Sequence, residues 1–334
     1  MTGAARAGAK AASEAGAASL APDATPVVAG AAPAVAAAAI RRVTGGAAAS
    51  VQHAGPDPDD LRRVVETALA EDLRYGDDAT TAATVPADAV AVAELTARAP
   101  GVLAGLPAAR AVLDAVLGVD GYTVLTARAD GDRLAAGDVA LAVRAPVRGL
   151  LTAERTALNL VCHLSGVATA TRAWVDAVEG TGARIRDTRK TLPGLRLLEK
   201  YAVRCGGGVN HRLGLGDAVL IKDNHVAAAG SVGAALEAAR RHAPNLPCEV
   251  EVDTLDQLDE VLARGAELVL LDNFTVADTV EAVRRRGNRP TGLESSGGLQ
   301  LENARAYAET GVDFLSVGAL THSVTALDLG LDLR

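Results

Sequence analysis

From residue 56 onward the apolar positions follow one rhythm and then another. Between Pro56 and Leu73, Leu61, Val64, Val65, Ala68 and Leu69 recur at spacings of three and four, which predicts a helix capped by Asp57 or Asp59. The segment RYGDDATTAATVP reads as a loop, and Ala89 to Ala97 alternates as a strand. A turn and a short helix follow in PGVLAGLPAARAVLDAVLG. Strand-like runs then appear around Tyr122 to Ala127 and Val139 to Val143, with a DGD turn between them. Mixed short strands and helices predict a small α+β domain ending near Leu151. Thr152 to Glu179 has a helical pattern, read as two pieces divided at Ser165-Gly166.

Beyond Glu179 apolar runs come at regular intervals: Ala183 to Arg186, Ala218 to Lys222, Cys248 to Val252, Glu267 to Leu271, Thr291 to Glu294 and Phe314 to Val317. Helical segments separate most of them, at Ser231 to Arg241, Leu255 to Arg264, Val276 to Arg286 and Leu299 to Thr310. This alternation predicts a parallel sheet with crossover helices. The carboxyl ends of the runs carry Asp187-Thr188-Arg189-Lys190, Lys222, Glu251 or Asp253, Asp272-Asn273, Glu294-Ser295-Ser296 and Gly318. Polar groups closing one strand after another favour a (β/α) barrel, whose strand ends form one active face. An open sheet would gather its ligand at a single switch point. Six strands leave the barrel incomplete. The division expected is an extension over 1–55, an N-terminal domain over 56–151 and a barrel over 152–334.

Composition narrows the function. With 334 residues, 49% hydrophobic and 22% charged, the chain is an ordinary globular one of about two domains. Aromatics are 2%, too few for platforms that stack single-stranded nucleic acid, and the net charge of −8 opposes binding to a phosphate backbone. Three cysteines, Cys162, Cys205 and Cys248, are widely spaced without a CxxC pair, which points to reduced thiols in a cytoplasmic protein. No run reaches the ~20 strongly apolar residues of a membrane span. Residues 1–50 contain 22 Ala and 6 Gly with no amphipathic period, and are expected to be a disordered extension.

Against that acidic total, the stretch from Arg184 to Arg212 holds eight Arg or Lys and two acids, a local charge of +6. Such a field suits a small polyanionic substrate. Arg196, Lys200 and Arg204, four apart, fit a solvated helix face. Arg189, Lys190, His211 and Arg212 flank turns and border apolar runs, where decoration explains them less well. Arg155, Arg189, Lys190, Arg212 and Lys222 are therefore candidates for one cavity, since arginine matches carboxylate and phosphate oxygens bidentately. Arg155 adds a cation to what reads as the first turn of a helix, against the dipole. Glu251 and Asp272 face them and suit ribose hydroxyls, a substrate-bridged Mg²⁺, or both. The turns Ser296-Gly297-Gly298 and Val317-Gly318-Ala319 offer backbone N–H groups for phosphate. His211 is balanced between a structural and a chemical role. Cys205 before three glycines reads as a helix end, because no paired base accompanies it.

These blocks carry a resemblance. RDTRKTLPGLRLLEKYAVRCGGGVNHRLGLGDAVLIKDNHV, with TAERTALNL, EVEVD, LLDN, LESSGG, SVGALTHS and YGDDATT, is similar to the carboxylating nicotinate-nucleotide pyrophosphorylases, the quinolinate phosphoribosyltransferase family, from about Asp60 to the C-terminus. The resemblance implies an N-terminal α/β sandwich beside an incomplete α/β barrel of the type II phosphoribosyltransferase kind, with the C-terminal tail a candidate to return to the N-terminal domain. It implies transfer of phosphoribosyl from phosphoribosyl pyrophosphate to quinolinate, with Mg²⁺, giving nicotinate mononucleotide, pyrophosphate and CO₂ for NAD biosynthesis. Carried over by motif, Lys190, Glu251 and Asp272 are catalytic. Substrate contacts fall to Arg155, Thr188, Arg189, Lys190, His211, Arg212, Lys222, Glu251, Asp272, Ser296 to Gly298 and Val317 to Ala319. In the family the arginine matching Arg155 comes from the neighbouring subunit, implying a homodimer. A nicotinate phosphoribosyltransferase, whose substrate needs fewer cations, and a silent paralogue are the rivals. The presence of Lys190, Glu251 and Asp272 weighs against the second.

Overall fold

The computed structural model describes residues 55–334, so the Ala-rich extension lies outside the described residues. The chain begins with α1 (Pro58–Asp72). Asp57 caps it by accepting the backbone N–H groups of Asp59 and Asp60 at 3.1 and 2.8 Å, and Pro58 stands at the first position, where its missing N–H costs nothing. The segment read as a loop contains a short helix, α2 (Ala79–Thr84), because Asp78 caps it by accepting from Thr81 N at 3.0 Å. Its Ala and Thr run has too little apolar period to announce a helix.

Strands β1 (Val90–Ala97), β3 (Thr123–Ala127), β5 (Val139–Pro146) and β12 (Leu329–Leu333) form an antiparallel sheet in the order β12-β1-β5-β3. The C-terminal tail thus returns to the N-terminal domain as an edge strand, pairing Leu95 with Leu331. Alternation along β1 puts Ala93, Leu95 and Ala97 on the buried face. That face packs on α3 (Leu106–Leu117) and α4 (Val147–Ala177), where Leu113, Leu150 and Ala153 meet Leu141, Val143 and Leu331. A two-stranded ribbon, β2 (Gly101–Val102) with β4 (Arg133–Leu134), completes this layer.

Helix α4 differs from expectation twice. It runs unbroken for 31 residues through Ser165-Gly166, and it starts five residues before Thr152. Ser165 is fully buried and binds both polar groups of Ala104, accepting from its N–H and donating to its carbonyl, each at 3.0 Å. A side chain on Gly166 would strike the passing C-terminal segment, 3.0 Å from Ala326 Cα. The pair therefore marks close approaches of other chain segments. Arg155 consequently lies in the third turn, which removes the dipole argument for it.

The second sheet is wholly parallel and comprises β6 (Arg184–Arg186), β7 (Val219–Ile221), β8 (Cys248–Val252), β9 (Leu268–Asp272), β10 (Gly292–Ser296) and β11 (Phe314–Ser316), in the order β6-β11-β10-β9-β8-β7. Side chains show that it is rolled up. Arg186 on β6 reaches Glu249 on β8 at 3.6 Å, although three strands separate them in the sheet. Val209 bridges to Arg186 on the open side between β6 and β7. The incomplete barrel is thereby plugged by the chain leading into β7. Helices α5 (Arg196–Cys205), α6 (Asp223–Ala229), α7 (Val232–His242), α8 (Leu255–Ala263), α9 (Val276–Arg286), α10 (Leu301–Ala308) and α11 (Ala319–His322) make the crossovers. Thr254 and Thr275 cap α8 and α9 by accepting from Gln257 N and Asp278 N. Among the described residues no helix is long and apolar enough to cross a membrane.

Candidate active site

Period-two alternation in the barrel strands stacks inward-facing residues in layers. The deeper layer is ionic. Arg186 pairs with Glu294 and Glu249, and Ser316 donates to Glu294. Beside it Asp187 accepts from Lys200, from the backbone N–H of His211 at 2.8 Å and from Asn210. Asp187 and Lys200 are both 0% exposed, so Lys200 does not belong to the solvated helix face expected for it. Burial raises the pKa of Asp187 and lowers that of Lys200, while their mutual attraction opposes both shifts. Lys200 also donates to the His211 carbonyl at 3.0 Å. One buried pair thus ties the Asp187–Lys190 loop to the His211–Arg212 loop. Each loop presents cations.

Above this floor opens a cavity of about 660 Å³. Thr188, Arg189, Lys190, His211, Arg212, Lys222, Glu251, Asp272, Ser296, Gly297 and Gly298, all singled out in the sequence, line it together. Gly318 stands next to it: a side chain there would lie 2.7 Å from Lys190 Cδ and 3.5 Å from Thr188 Oγ1. Val317 and Ala319 do not line the cavity. Arg155 does not line it either; it is exposed on α4 and forms no ion pair among the described residues. Leu220, Leu270 and Ser316 are lining residues that the sequence reading did not select, and Asn273 and Glu294, which it named at strand ends, line the cavity without having been assigned a contact. Period-two counting back from Lys222, Asp272 and Ser296 would have reached Leu220, Leu270 and Glu294.

Residues 78–165 match the family model for the quinolinate phosphoribosyl transferase N-terminal domain, and residues 167–332 match the model for its C-terminal domain. The chain belongs to the quinolinate phosphoribosyltransferase family. The nicotinate-nucleotide pyrophosphorylase (carboxylating) of Mycobacterium leprae is 66% identical over 277 residues, covering 82% of this chain and 98% of that protein. A probable enzyme of the same name from Bacillus subtilis is 40% identical over 281 residues, covering 82% and 93%. The structure of the nicotinate-nucleotide pyrophosphorylase from Francisella tularensis superposes with a TM-score of 0.79 at 38% identity, covering 84% of this chain and 98% of that one.

In this family member the cavity is divided by charge. Arg189, Lys190 and Arg212 stand on the side of β6 and its plug. The Nε–H groups of both arginines are buried without a hydrogen-bond partner among the described residues. Burial and the neighbouring Arg189 lower the pKa of Arg212. Glu251 and Asp272 stand on the adjacent strands β8 and β9, with Lys222 paired to Glu251. Burial, and then the negative charges of Glu251 and Asp253, raise the pKa of Asp272. Asn273 adopts a left-handed backbone, φ 56°, and donates to Asp272 at 2.7 Å. Gly297, φ 86°, leaves the space that the Asn273 side chain fills. His211 has its pKa lowered to about 4, chiefly by burial and next by Arg186, so its ring is neutral at pH 7. Cys205 is excluded as a nucleophile: burial pushes its thiol up to about 12.

Proposed function

We propose that this cavity transfers the phosphoribosyl group of phosphoribosyl pyrophosphate to quinolinate, with loss of CO₂, yielding nicotinate mononucleotide and pyrophosphate for NAD biosynthesis. The observation that carries this reading is the pair of unsatisfied Nε–H groups on Arg189 and Arg212, cavity arginines of one pole. Buried donors without acceptors are rare in folded proteins and fit a ligand bringing carboxylate oxygens. Quinolinate brings two adjacent carboxylates. Arg189, Arg212 and Lys222 hold them, while Lys190, beside the Gly318 turn, lies towards the phosphates. Ser296 to Gly298 and the Gly318 turn supply backbone donors for phosphate, and Glu251 and Asp272 take the ribose.

The pyridine nitrogen attacks the anomeric carbon, and the bond to the pyrophosphate oxygen breaks with its electron pair leaving on pyrophosphate. The centre passes through oxocarbenium character, as in glycoside hydrolysis. Lys190 and the neighbouring cations offset the charge that develops on the departing group. The carboxylate beside the now cationic ring nitrogen then leaves as CO₂, and its bonding pair stays on the ring carbon until a proton replaces it. No protein nucleophile takes part. Glu251 and Asp272 fit Mg²⁺, because they offer hard carboxylate oxygens, and the raised pKa of Asp272 reflects burial first and then the negative charge of Glu251 and Asp253, which a cation would offset. When bound, Mg²⁺ supplies charge neutralisation at the pyrophosphate.

Arg155, exposed and outside its own cavity, supports a homodimer in which it reaches the partner's cavity. A cytoplasmic location belongs to the same proposal and rests on the three free thiols. Arg155→Ala and Lys190→Ala proteins should each be nearly inactive, and mixing them under conditions of subunit exchange should restore part of the activity. Exchange without recovery would place Arg155 in its own subunit's chemistry. The substrate assignment is tested by steady-state rates. Nicotinate lacks the carboxylate beside the nitrogen and leaves a half-buried arginine without its partner, a loss of about 3 kcal/mol, or roughly two orders of magnitude in kcat/KM. Phthalate, with both carboxylates and no nitrogen, should compete with quinolinate. Equal rates with nicotinate and quinolinate would assign the cavity to the one-carboxylate reaction instead.

A further inference from the structure

Glu249 precedes Glu251 by two residues on β8, so it shares the inward face one layer deeper. Its side chain is 4% exposed. One oxygen, Oε2, lies 3.0 Å from His211 Nε2 and 3.6 Å from Arg186 Nη1. The other, Oε1, has no hydrogen-bond partner among the described residues. Glu294 Oε1 is 3.8 Å from the same His211 nitrogen, and the three side chains cluster closely enough to hold a metal ion. Arg186 already sits among them, paired to both acids, and supplies the positive charge that a metal would bring.

The opposite edge of the imidazole is also engaged. His211 Nδ1 accepts the backbone N–H of Arg212 at 2.7 Å. An accepting ring nitrogen carries no proton, so the neutral ring holds its proton on Nε2, facing Glu249. Nδ1 is then engaged by the backbone, and Nε2 lies 3.0 Å from Glu249, within its reach as a donor. The lowered pKa of His211, set chiefly by burial and next by Arg186, keeps the ring neutral and so leaves Nδ1 able to accept.

We infer that Glu249 is a positioning residue: by accepting from Nε2–H it fixes the tautomer of His211, and His211 in turn fixes the backbone from which Arg212 enters the cavity. His211, placed among the substrate contacts by sequence resemblance, therefore acts on the substrate through Arg212. The kinetic part of this inference rests on the function proposed above, whereas the tautomer does not. Arg212 is tethered at its far end as well, donating from Nη1 to the Ala218 carbonyl at 3.2 Å. Its guanidinium is thus aimed from both ends, as a bidentate carboxylate site requires.

Nitrogen NMR of protein labelled at histidine tests the structural half. His211 should show a protonated Nε2 and a bare Nδ1 at pH 7, and Glu249→Gln should mix in the other tautomer, because an amide can donate as well as accept. Kinetics test the other half. Glu249→Gln should raise the KM for quinolinate about tenfold, the size of one misdirected hydrogen bond, with kcat and the KM for phosphoribosyl pyrophosphate near the parent values. His211→Asn, whose amide oxygen stands where Nδ1 stood, should keep most of the quinolinate affinity, and His211→Gln should lose it. A His211 ring protonated on Nδ1 in the parent, or Asn and Gln variants equally impaired, would overturn the inference. The expected tautomer in a protein that ignores quinolinate would retire the function proposed for the cavity and leave the role of Glu249 towards His211 standing.

Discussion

Two layers of charge occupy the barrel, and they are made from the same residue types. The floor holds Arg186, Asp187, Lys200, Glu249 and Glu294, each at 4% exposure or less. The rim holds Arg189, Lys190, Arg212, Lys222, Glu251 and Asp272. In the floor every cation has an acid: Arg186 with Glu294 and Glu249, Lys200 with Asp187. On the rim Lys222 alone among the cations is paired, to Glu251, among the described residues. The contrast separates charges that hold the barrel from charges that await a ligand, and residue type does not make that separation. Lys190 and Lys200 show it most directly, since ten positions apart they belong to opposite layers.

The largest expected effect comes from opening the floor. Lys200→Met removes one member of a fully buried pair and leaves Asp187 uncompensated, a loss of about 3–5 kcal/mol. For a chain of this size the melting temperature should fall by roughly 10 °C. Adding Asp187→Asn should recover part of that fall, because no lone charge then remains in the floor. Calorimetry of the single and double variants decides it. If Lys200→Met melts with the parent, the floor pair contributes nothing to the fold and the contrast between the layers fails.

The same change on the rim should do the reverse. Lys190→Met removes a cation that has no acid partner, so the melting temperature should stay level or rise slightly, as is common at sites kept for function. The kcat/KM should fall by roughly two to three orders of magnitude, since the charge offsets the departing pyrophosphate. Parallel melting and rate measurements on the Lys190 and Lys200 variants give a two-by-two comparison. A Lys190 variant that melts as low as the Lys200 variant would place both lysines in one structural layer.

Much of the scaffold was legible because its signals are local. The bounds of α9 at Val276–Arg286 and β8 at Cys248–Val252 follow directly from periodicity and the flanking turns. The cavity residues were legible because strand ends in a barrel share one face. What stayed hidden depends on contacts distant in sequence. Helical spacing of Arg196, Lys200 and Arg204 cannot reveal that Lys200 turns inward to Asp187, thirteen positions back. Ser165-Gly166 looks like a helix breaker until Ala104 and Ala326 are seen to crowd it. Glu294 appears in the sequence only as one of the polar groups that close the strand runs, and nothing there shows that Arg186 on another strand holds it in the floor.

The smallest expected effect sharpens the comparison from the acidic side of the rim. Asp272 has its pKa raised above the ordinary carboxylate value by burial and by the nearby charges of Glu251 and Asp253. A carboxyl raised in the folded state binds its proton more tightly there than in the unfolded chain. Ionisation at neutral pH therefore costs stability, and lowering the pH through the raised pKa restores it. Asp272→Asn should accordingly raise the melting temperature slightly at pH 7 and leave it unchanged at low pH, where the parent is already protonated. Activity should move the other way, with the variant impaired at every pH. In the parent, kcat/KM for phosphoribosyl pyrophosphate should fall on an acid limb that begins above the ordinary aspartate pKa. Melting curves across pH, set beside that rate profile, measure both. Should Asp272→Asn destabilise the protein at pH 7, Asp272 would be a partnered charge like those of the floor, and the division of the barrel into two layers would stop at β9.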